Sequence, residues 1–227
     1  MSETLLEAIR ARDVDRLAKI LAAGMDPNTP LTRQGLTPLQ AAVDELEVLG
    51  EDEPGGPIDA VVLLLRRGAA VNSWDERHTS TPLLTAVAMN HVEGVRMLLT
   101  AGADPNVRDN EGDSPLRVCA DKGYLEMARL LLLCGAGQTI HEGAGPTGMN
   151  ALGLAATRLD IDMVRLLLSH GADPLFEDAD GRTTLERLQF ASLPEDPVTQ
   201  ERLQEMQCLL GTTDPTAPTA DHNGKDK

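Results

Sequence analysis

Aromatic side chains are scarce in this chain of 227 residues, which has one Trp, one Tyr and two Phe. A hydrophobic core built around large rings is therefore excluded. Leu, Val, Ile and Ala must supply the buried surface instead. Side chains of this size suit thin layers of short helices that pack closely against one another.

Basic residues are also in short supply, since 20 Lys and Arg stand against 36 Asp and Glu and give a formal net charge of −16. This charge opposes the binding of phosphate backbones and anionic lipid. We therefore expect neither a nucleic acid nor a membrane as a partner. A basic protein surface is one explanation of the excess acid, and solubility of the folded chain is the other.

Cysteines are few, and long apolar runs are missing. Cys119, Cys134 and Cys208 form an odd set without the spacing of metal ligands, which favours a reducing compartment. The N-terminal MSETLLEAIR has no basic segment followed by a sustained apolar run. No later segment has the roughly 18 uninterrupted apolar residues that a membrane span needs. The expected location is cytoplasmic.

Residue patterns that carry chemistry are missing as well. None of the five histidines has a partner at the i+4 spacing of a helical metal pair. The glycine-rich segment 141–148 lacks the Gly-Lys-Ser/Thr ending of a phosphate loop, and a lengthened turn explains it better. No Gly-x-Ser-x-Gly nucleophile motif occurs. We therefore predict that the chain is not an enzyme and has no catalytic, cofactor-binding or metal-binding residues.

The most regular stretch spans residues 81–106 and reads TPLLTAVAMNHVEGVRMLLTAGADPN. Thr81 can cap a helix that has Pro82 at its first position, and Gly102 supplies a left-handed residue that ends a second helix. One apolar stripe at helical spacing lies between them and comprises Val92, Val95, Leu98 and Leu99. A helical pair this short cannot bury its stripe alone, so it needs neighbours.

Approximate copies of this stretch recur along the chain. The helix start at 81 is matched by Thr37-Pro38-Leu39, Ser114-Pro115-Leu116, Asn150-Ala151-Leu152 and Thr183-Thr184-Leu185. The far ends read AAGMDPN at 22–28, RRGAAVN at 66–72, TAGADPN at 100–106, LCGAGQT at 133–139 and SHGADPL at 169–175. These copies resemble the ankyrin repeat family, whose unit is a β-turn followed by two helices with a T-P-L-H-x-A signature.

The resemblance covers about residues 3–210 and implies an all-α solenoid of about six helix-turn-helix units with short β-hairpin-like fingers. The expected domain spans residues 1–210, with units at 3–28, 37–72, 81–106, 114–139, 150–175 and 183–210. The second unit has an acidic insertion at 46–55, which is either a contact element or a tolerated surface loop. We expect residues 211–227 to be a disordered tail.

The histidine of the signature is absent from this chain. The matching positions hold Gln40, Leu84, Arg117 and Gly153. We therefore expect each of these units to lose one stabilising local hydrogen bond.

In ankyrin repeat proteins, the finger tips and the exposed side of the first helices form a concave surface on which protein partners dock. Register carries this surface over to finger residues Arg33, Gln34, Leu36, Arg77, His78, Ser80, Asn110, Glu111, Asp113, Met149, Asp180 and Arg182, and Trp74 lies in the finger after Asn72. On the first helices it carries over to Asp44, Glu45, Ala88, Met89, Asp121, Lys122, Thr157 and Arg158.

Two of these residues carry more specific expectations. Trp74, the only tryptophan, is either an interface anchor or a residue packed against the next finger. Met89 and Ala88 offer an adaptable apolar floor. An acidic rim suited to a basic partner is expected from Asp44, Glu45, Glu111 and Asp121.

The resemblance implies a protein-binding module, monomeric when free, that inhibits, shields or positions one protein partner. An inhibitor or immunity-type protein is a concrete version. The alternative is a structural adaptor that joins two proteins through the groove and the acidic insertion. Deleting residues 47–55 distinguishes the two, because an adaptor loses one partner and a blocker is nearly unaffected.

Overall fold

The computed structural model describes residues 2–33, 35–46, 58–75, 79–189 and 196–211. Within these ranges the chain forms twelve α-helices and one short 3₁₀ helix. The helices are α1 (Ser2–Arg10), α2 (Val14–Ala22), α3 (Pro38–Asp44), α4 (Asp59–Arg66), α5 (Pro82–Ala88), α6 (Val92–Thr100), α7 (Pro115–Lys122), α8 (Leu125–Leu133), α9 (Ala151–Thr157), α10 (Ile161–Ser169), α11 (Thr184–Gln189) and α12 (Pro197–Gly211). No helix in these ranges is both long and apolar enough to cross a membrane.

The helices form six antiparallel pairs that stack side by side. The first helices α1, α3, α5, α7, α9 and α11 pack in one row, each against the next. Among the second helices, α2 packs on α4, and α6, α8, α10 and α12 pack in series. One continuous apolar cluster runs through the stack from Leu5 to Leu210. The predicted all-α solenoid is therefore confirmed.

The first helices begin as the sequence predicts. The side chains of Thr37, Thr81, Ser114 and Asn150 each accept a hydrogen bond from the backbone N–H three residues later. These bonds satisfy donors that have no partner inside the helix. Proline at the first position favours the same start in α3, α5 and α7.

The apolar stripe predicted for residues 92–99 is buried at its centre. Val95 and Leu98 are fully buried in α6, whereas Val92 and Leu99 are half-buried. In the later second helices, Ala128 and Leu131 are fully buried, and two methionines that the sequence analysis did not include, Met127 and Met163, are buried as well. A thioether chain adapts to the irregular gap between neighbouring pairs.

A ladder of asparagines links the ends of successive units. Asn72 accepts a hydrogen bond from the Asp104 N–H at 2.9 Å and donates one to the Gly102 carbonyl at 3.1 Å. Asn28 makes the same two bonds to Ala70 and Gly68, at 2.7 and 3.1 Å. These bonds tie the turn after each second helix to the turn of the next unit. Farther along, Asn106 donates to Gly135, and His141 accepts from Asp173.

The expected loss of a hydrogen bond at the signature position is wrong in two units. Gln40 accepts the Thr37 N–H at 3.2 Å and donates to the Ser80 carbonyl at 3.0 Å. Arg117 donates to the carbonyls of Met149 at 2.8 Å and Ala144 at 2.7 Å. Both side chains are long enough to reach the next finger, so they replace histidine as a bridge between units.

The irregular segment between the fourth and fifth units is packed against the stack. A 3₁₀ helix at Ala136–Thr139 follows α8, and Ile140 and Ala144 are buried. Arg117 holds the segment through the Ala144 carbonyl. The predicted lengthened turn is therefore partly built into the core.

Two predicted boundaries need correction. Leu46, assigned to the insertion, is 3% exposed and belongs to the core, while the helix before it ends at Asp44. Gly211, assigned to the tail, is the last residue of α12. Residues 47–57 and 212–227 lie outside the described residues, so the rest of the insertion and the disorder of the tail stay predictions.

The fingers are hairpin turns with little regular strand. Backbone N–H groups of Leu31, Asp75, Asp109 and Asp178 donate across the turns to the carbonyls of Leu36, Ser80, Asp113 and Arg182, at 2.8 to 3.2 Å. In the described ranges the one isolated β-bridge joins Glu177 and Thr183. The expected hairpin-like fingers are thus present as tight turns.

Candidate protein-binding groove

The predicted residues belong to the ends of the first helices and to the fingers that precede them. We call this set the groove face, and define it by the ends of α3, α5, α7 and α9 and by the finger residues 33, 35–36, 74–75, 79–80, 109–113 and 178–182. Gln34, Arg77 and His78 lie outside the described residues. The other predicted residues lie at exposed or half-buried positions.

The beginning of the groove face carries two adjacent carboxylates. Asp44 is exposed and makes no ion pair with a described residue, whereas Glu45 lies 3.9 Å from the Arg10 guanidinium. Arg12 donates to the Glu45 carbonyl at 2.9 Å. The surrounding protein mass, followed by the neighbouring Glu45 charge, raises the pKa of Asp44. A cation that binds here would relieve this unfavourable environment.

On the nearby first finger, Arg33 is exposed and Leu36 is half-buried. The Leu36 N–H donates to the Thr32 hydroxyl at 3.3 Å, which holds the finger backbone.

The middle of the groove face is small and apolar. Ala88 is exposed at the end of α5, and Met89, the next residue, is half-buried. On the adjoining finger, Ser80 shares a hydrogen bond of 2.8 Å with the Thr85 hydroxyl. Trp74 is half-buried at the other end of this finger, so part of its ring surface faces solvent.

The next finger carries acidic and amide side chains. Asn110 and Glu111 are exposed at its tip, and Glu111 makes no ion pair with a described residue. The Asp109 carboxylate accepts backbone N–H bonds from Glu111 at 2.9 Å and Asp113 at 2.8 Å. Asp113 itself is half-buried and paired with Arg117. Glu111 is therefore more accessible to a partner than Asp113.

The end of α7 has opposite charges side by side. Asp121 is half-buried, Lys122 is exposed, and their charged atoms lie 3.0 Å apart. On α9, Thr157 and Arg158 are exposed, and Thr157 donates to the Leu154 carbonyl at 2.8 Å. The face therefore becomes less acidic toward its C-terminal end.

The last finger is held by a charged cluster that the sequence analysis missed. Arg187 pairs with Asp178 and lies 2.9 Å from Asp180. Partial burial alone would raise the pKa of Asp178, but hydrogen bonds from Arg187 and from the N–H groups of Asp180 and Arg182 outweigh it and lower that pKa. Asp180 and Arg182 are exposed on this finger.

A signal for this cluster is present in the sequence. Asp75, Asp109 and Asp178 all begin a finger, and each side chain accepts a backbone N–H from the same turn. The recurrence of Asp five or six residues before the helix cap could have identified them.

A comparison with protein families decides the relationship. The family described as ankyrin repeats (3 copies) matches residues 51–142 and 116–188, which together span more than half of the chain. The chain belongs to the ankyrin repeat family. Ankyrin repeats form protein-binding modules and are typically non-catalytic.

Individual ankyrin repeat relatives support the assignment. The putative ankyrin repeat-containing protein of Treponema pallidum (strain Nichols) is 37% identical over 195 residues, covering 86% of this chain and 49% of that protein. Human ankyrin repeat domain-containing protein 63 is 36% identical over 125 residues, covering 54% of this chain and 31% of that protein. NF-kappa-B inhibitor alpha of Sus scrofa is 33% identical over 116 residues, covering 50% of this chain and 37% of that protein. The chain thus matches less than half the length of each of these relatives.

The ankyrin framework offers no metal centre in the part of the chain that the structure describes. No three or more His, Cys, Asp and Glu side chains there are placed to hold a metal ion.

Burial raises the pKa of the Cys119 thiol, which makes its reactive thiolate form unfavourable at neutral pH.

Proposed function

We propose that this ankyrin repeat module binds a basic patch of one protein partner through its groove face and thereby blocks or shields that patch. The observation that carries the proposal is the position of Asp44 and Glu111. Both are exposed, neither is ion-paired with a described residue, and in the order of the stacked units they come before and after the apolar Ala88 and Met89. We propose a cytoplasmic location and a monomeric free state along with this function.

Electrostatics and packing have separate roles in this proposal. A net charge of −16 attracts a basic partner and speeds encounter, and the effect weakens as salt is added. Ala88 and Met89 supply the apolar centre, where excluded water strengthens binding more than a charge at the rim does. Trp74 lies on the adjoining finger and is proposed as an anchor.

The blocking version of the proposal draws on a relative. The pig protein in the comparison is named as an inhibitor of NF-kappa-B, and half of this chain aligns with it. A stack of packed helical pairs can act on a partner by covering its surface. We propose this mode of action without assigning the same partner.

A matched charge reversal tests the proposal. Asp44→Lys with Glu111→Lys changes the groove face, and Glu126→Lys with Glu201→Lys makes the same change in net charge on exposed positions of α8 and α12. Proteins captured from native lysate are compared for the wild type and both double variants. We expect at least one basic protein to be retained by the wild type and the control and lost by the groove variant.

Two results would count against the proposal. If both variants lose the same proteins, net charge alone governs capture and the groove face has no special role. If the groove variant keeps every protein that the wild type captures, Asp44 and Glu111 do not contact the partner. Melting temperatures of all three proteins verify that the fold is kept.

A further inference from the structure

A cleft opens on the groove face between α9, α11 and the last finger. Its lining includes Met149, Asn150, Gly153, Thr157 and Phe176. The volume open to the centre of a water-sized atom is about 10 Å³, near the lower limit for one ordered water molecule. The cleft is therefore suited to the tip of one side chain and is too small for a whole metabolite.

The cleft lies beside Gly153, at the signature position of its unit. At the same register, Gln40 and Arg117 extend to carbonyls of the following finger. Gly153 has no side chain, so nothing from this position bridges to the last finger. We name the opening the Gly153 cleft.

Asn150 gives the Gly153 cleft an unused hydrogen-bond donor. The residue is 1% exposed, and its side-chain oxygen accepts the Gly153 N–H at 2.9 Å. Its side-chain nitrogen is buried and has no hydrogen-bond partner among the described residues. An amide N–H in this state is unfavourable, and an oxygen placed in the cleft would satisfy it.

Two of the polar side chains that line the cleft have partners of their own. The Thr157 hydroxyl donates to Leu154, and Arg187 is paired with Asp178 and Asp180. Met149 and Phe176 add half-buried apolar walls. The need that remains is a hydrogen-bond acceptor. The apolar walls make the desolvation of a carboxylate costly, whereas Arg182, which also lines the cleft, attracts a negative charge, so the experiment compares an uncharged with a charged acceptor.

We propose that the Gly153 cleft receives the carboxamide oxygen of an Asn or Gln side chain from the protein partner. The inference rests on the proposed function, since the partner supplies this side chain. Met149 can adjust its flexible chain as the tip enters. The cleft then gives the C-terminal part of the groove face a specificity that net charge does not provide.

Acetamide is a direct probe, because it carries the same carboxamide group. The full chain, labelled with ¹⁵N, is titrated with acetamide and, separately, with sodium acetate at equal concentration. We expect acetamide to give saturable shifts of the Asn150 side-chain NH₂ signals and the Thr157 backbone N–H signal. A missing response to acetamide overturns the proposal, and a stronger response to acetate overturns its choice of an uncharged group.

Two variants and a control locate the response. Gly153→Gln fills the cleft with the side chain that the second unit uses, and we expect it to abolish the Thr157 shift. Leu84→Gln places the same side chain at the same register of the third unit and should leave the shift unchanged. If the Thr157 shift in Gly153→Gln persists, acetamide binds elsewhere and the proposal fails.

Asn150→Ser covers the case in which Gly153→Gln does not fold. A Cβ at position 153 would lie 3.3 Å from the Met149 Cβ, so a larger side chain requires Met149 to move. Serine caps α7 at the same position of its unit, so Asn150→Ser keeps the cap and replaces the amide NH₂ donor by a shorter hydroxyl that reaches less far into the cleft. We expect this variant to fold and to lose the Thr157 shift, and a retained shift contradicts the role of Asn150.

The failure of this inference is distinguishable from failure of the proposed function. If the groove variant loses a basic partner but acetamide gives no response, the proposed function is supported and the carboxamide site at the Gly153 cleft is rejected. If acetamide gives the expected response but no captured partner depends on Asp44 and Glu111, the cleft binds a carboxamide group. The proposal that a partner side chain occupies it is then rejected.

Discussion

Arg117 and Gly153 occupy the same position in neighbouring units but leave their junctions in opposite states. Arg117 is 9% exposed and holds two carbonyls of the next segment together with Asp113. Gly153 leaves a cleft beside an unpaired amide donor. The same position of an ankyrin unit can therefore either connect two units through side-chain hydrogen bonds or leave a space that a partner side chain can enter.

Removing the Arg117 side chain should give the largest effect. Arg117→Ala leaves the Met149 and Ala144 carbonyls without this donor and Asp113 without its cation. We expect a loss of about 2–4 kcal/mol in the free energy of unfolding, measured by urea denaturation. Arg129→Ala is the control, because Arg129 is exposed and should change stability by no more than about 0.5 kcal/mol. Equal losses in the two variants would show that Arg117 does not fasten its junction.

A second test asks whether the glycine at position 102, unlike Gly153, is required for its backbone conformation. Gly102 has φ +91°, whereas Gly137 lies outside the left-handed region, and a Cβ on either meets no atom within 4 Å. Gly102→Ala should lose about 1–2 kcal/mol by thermal denaturation because L-residues disfavour positive φ. Gly137→Ala should show no such loss. If both variants keep wild-type stability, positive φ is not the reason for glycine at 102.

Acid should weaken the last finger, which borders the open junction. Burial alone would raise the pKa of Asp178. Hydrogen bonds from Arg187 and from two backbone N–H groups outweigh this effect and lower the pKa in the folded state. The carboxylate therefore stabilises the fold fully above the ordinary Asp pKa, and this contribution disappears as pH falls through the lowered value.

The measurement compares the free energies of unfolding of wild type and Asp178→Asn between pH 7 and pH 3. We expect the difference to stay constant down to about pH 5 and to shrink below about pH 4. A difference that is unchanged at pH 3 would mean that the charge of Asp178 does not stabilise the finger.

Trp74 should have the smallest effect on stability. Its side chain is half-buried on a finger, so Trp74→Ala should lower the melting temperature less than Gly102→Ala does, while weakening capture of the partner. Ser73→Ala on the same finger is the control for loss of a finger side chain. A large fall in the melting temperature with unchanged capture would make Trp74 a structural residue.

Residue spacing along the chain predicted much of the fold but few of the contacts between units. The helix caps at Thr81 and Ser114 and the apolar stripe around Leu98 depend on spacing along the chain, so they were readable from it. The bridge made by Arg117 was not predicted, because its acceptors lie 27 and 32 residues away and their position depends on how the units stack.

The sequence predicted a set of residues for the groove face, but it did not predict the contacts that these residues make. Register identified Asp44, Glu111 and Met89, but it could not show that Asp113 is already held by Arg117. The Gly153 cleft arises from a missing side chain between two units. A single unit therefore contains no sign of it.

Hydrogen exchange of the chain with and without its captured partner tests the central claim most directly. We expect slower exchange in the partner complex at residues 79–90, 109–122 and 149–158, which contain the fingers and first helices of the groove face. The second helices α6, α8 and α10 should keep their exchange rates. Protection confined to these second helices would contradict binding through the groove face.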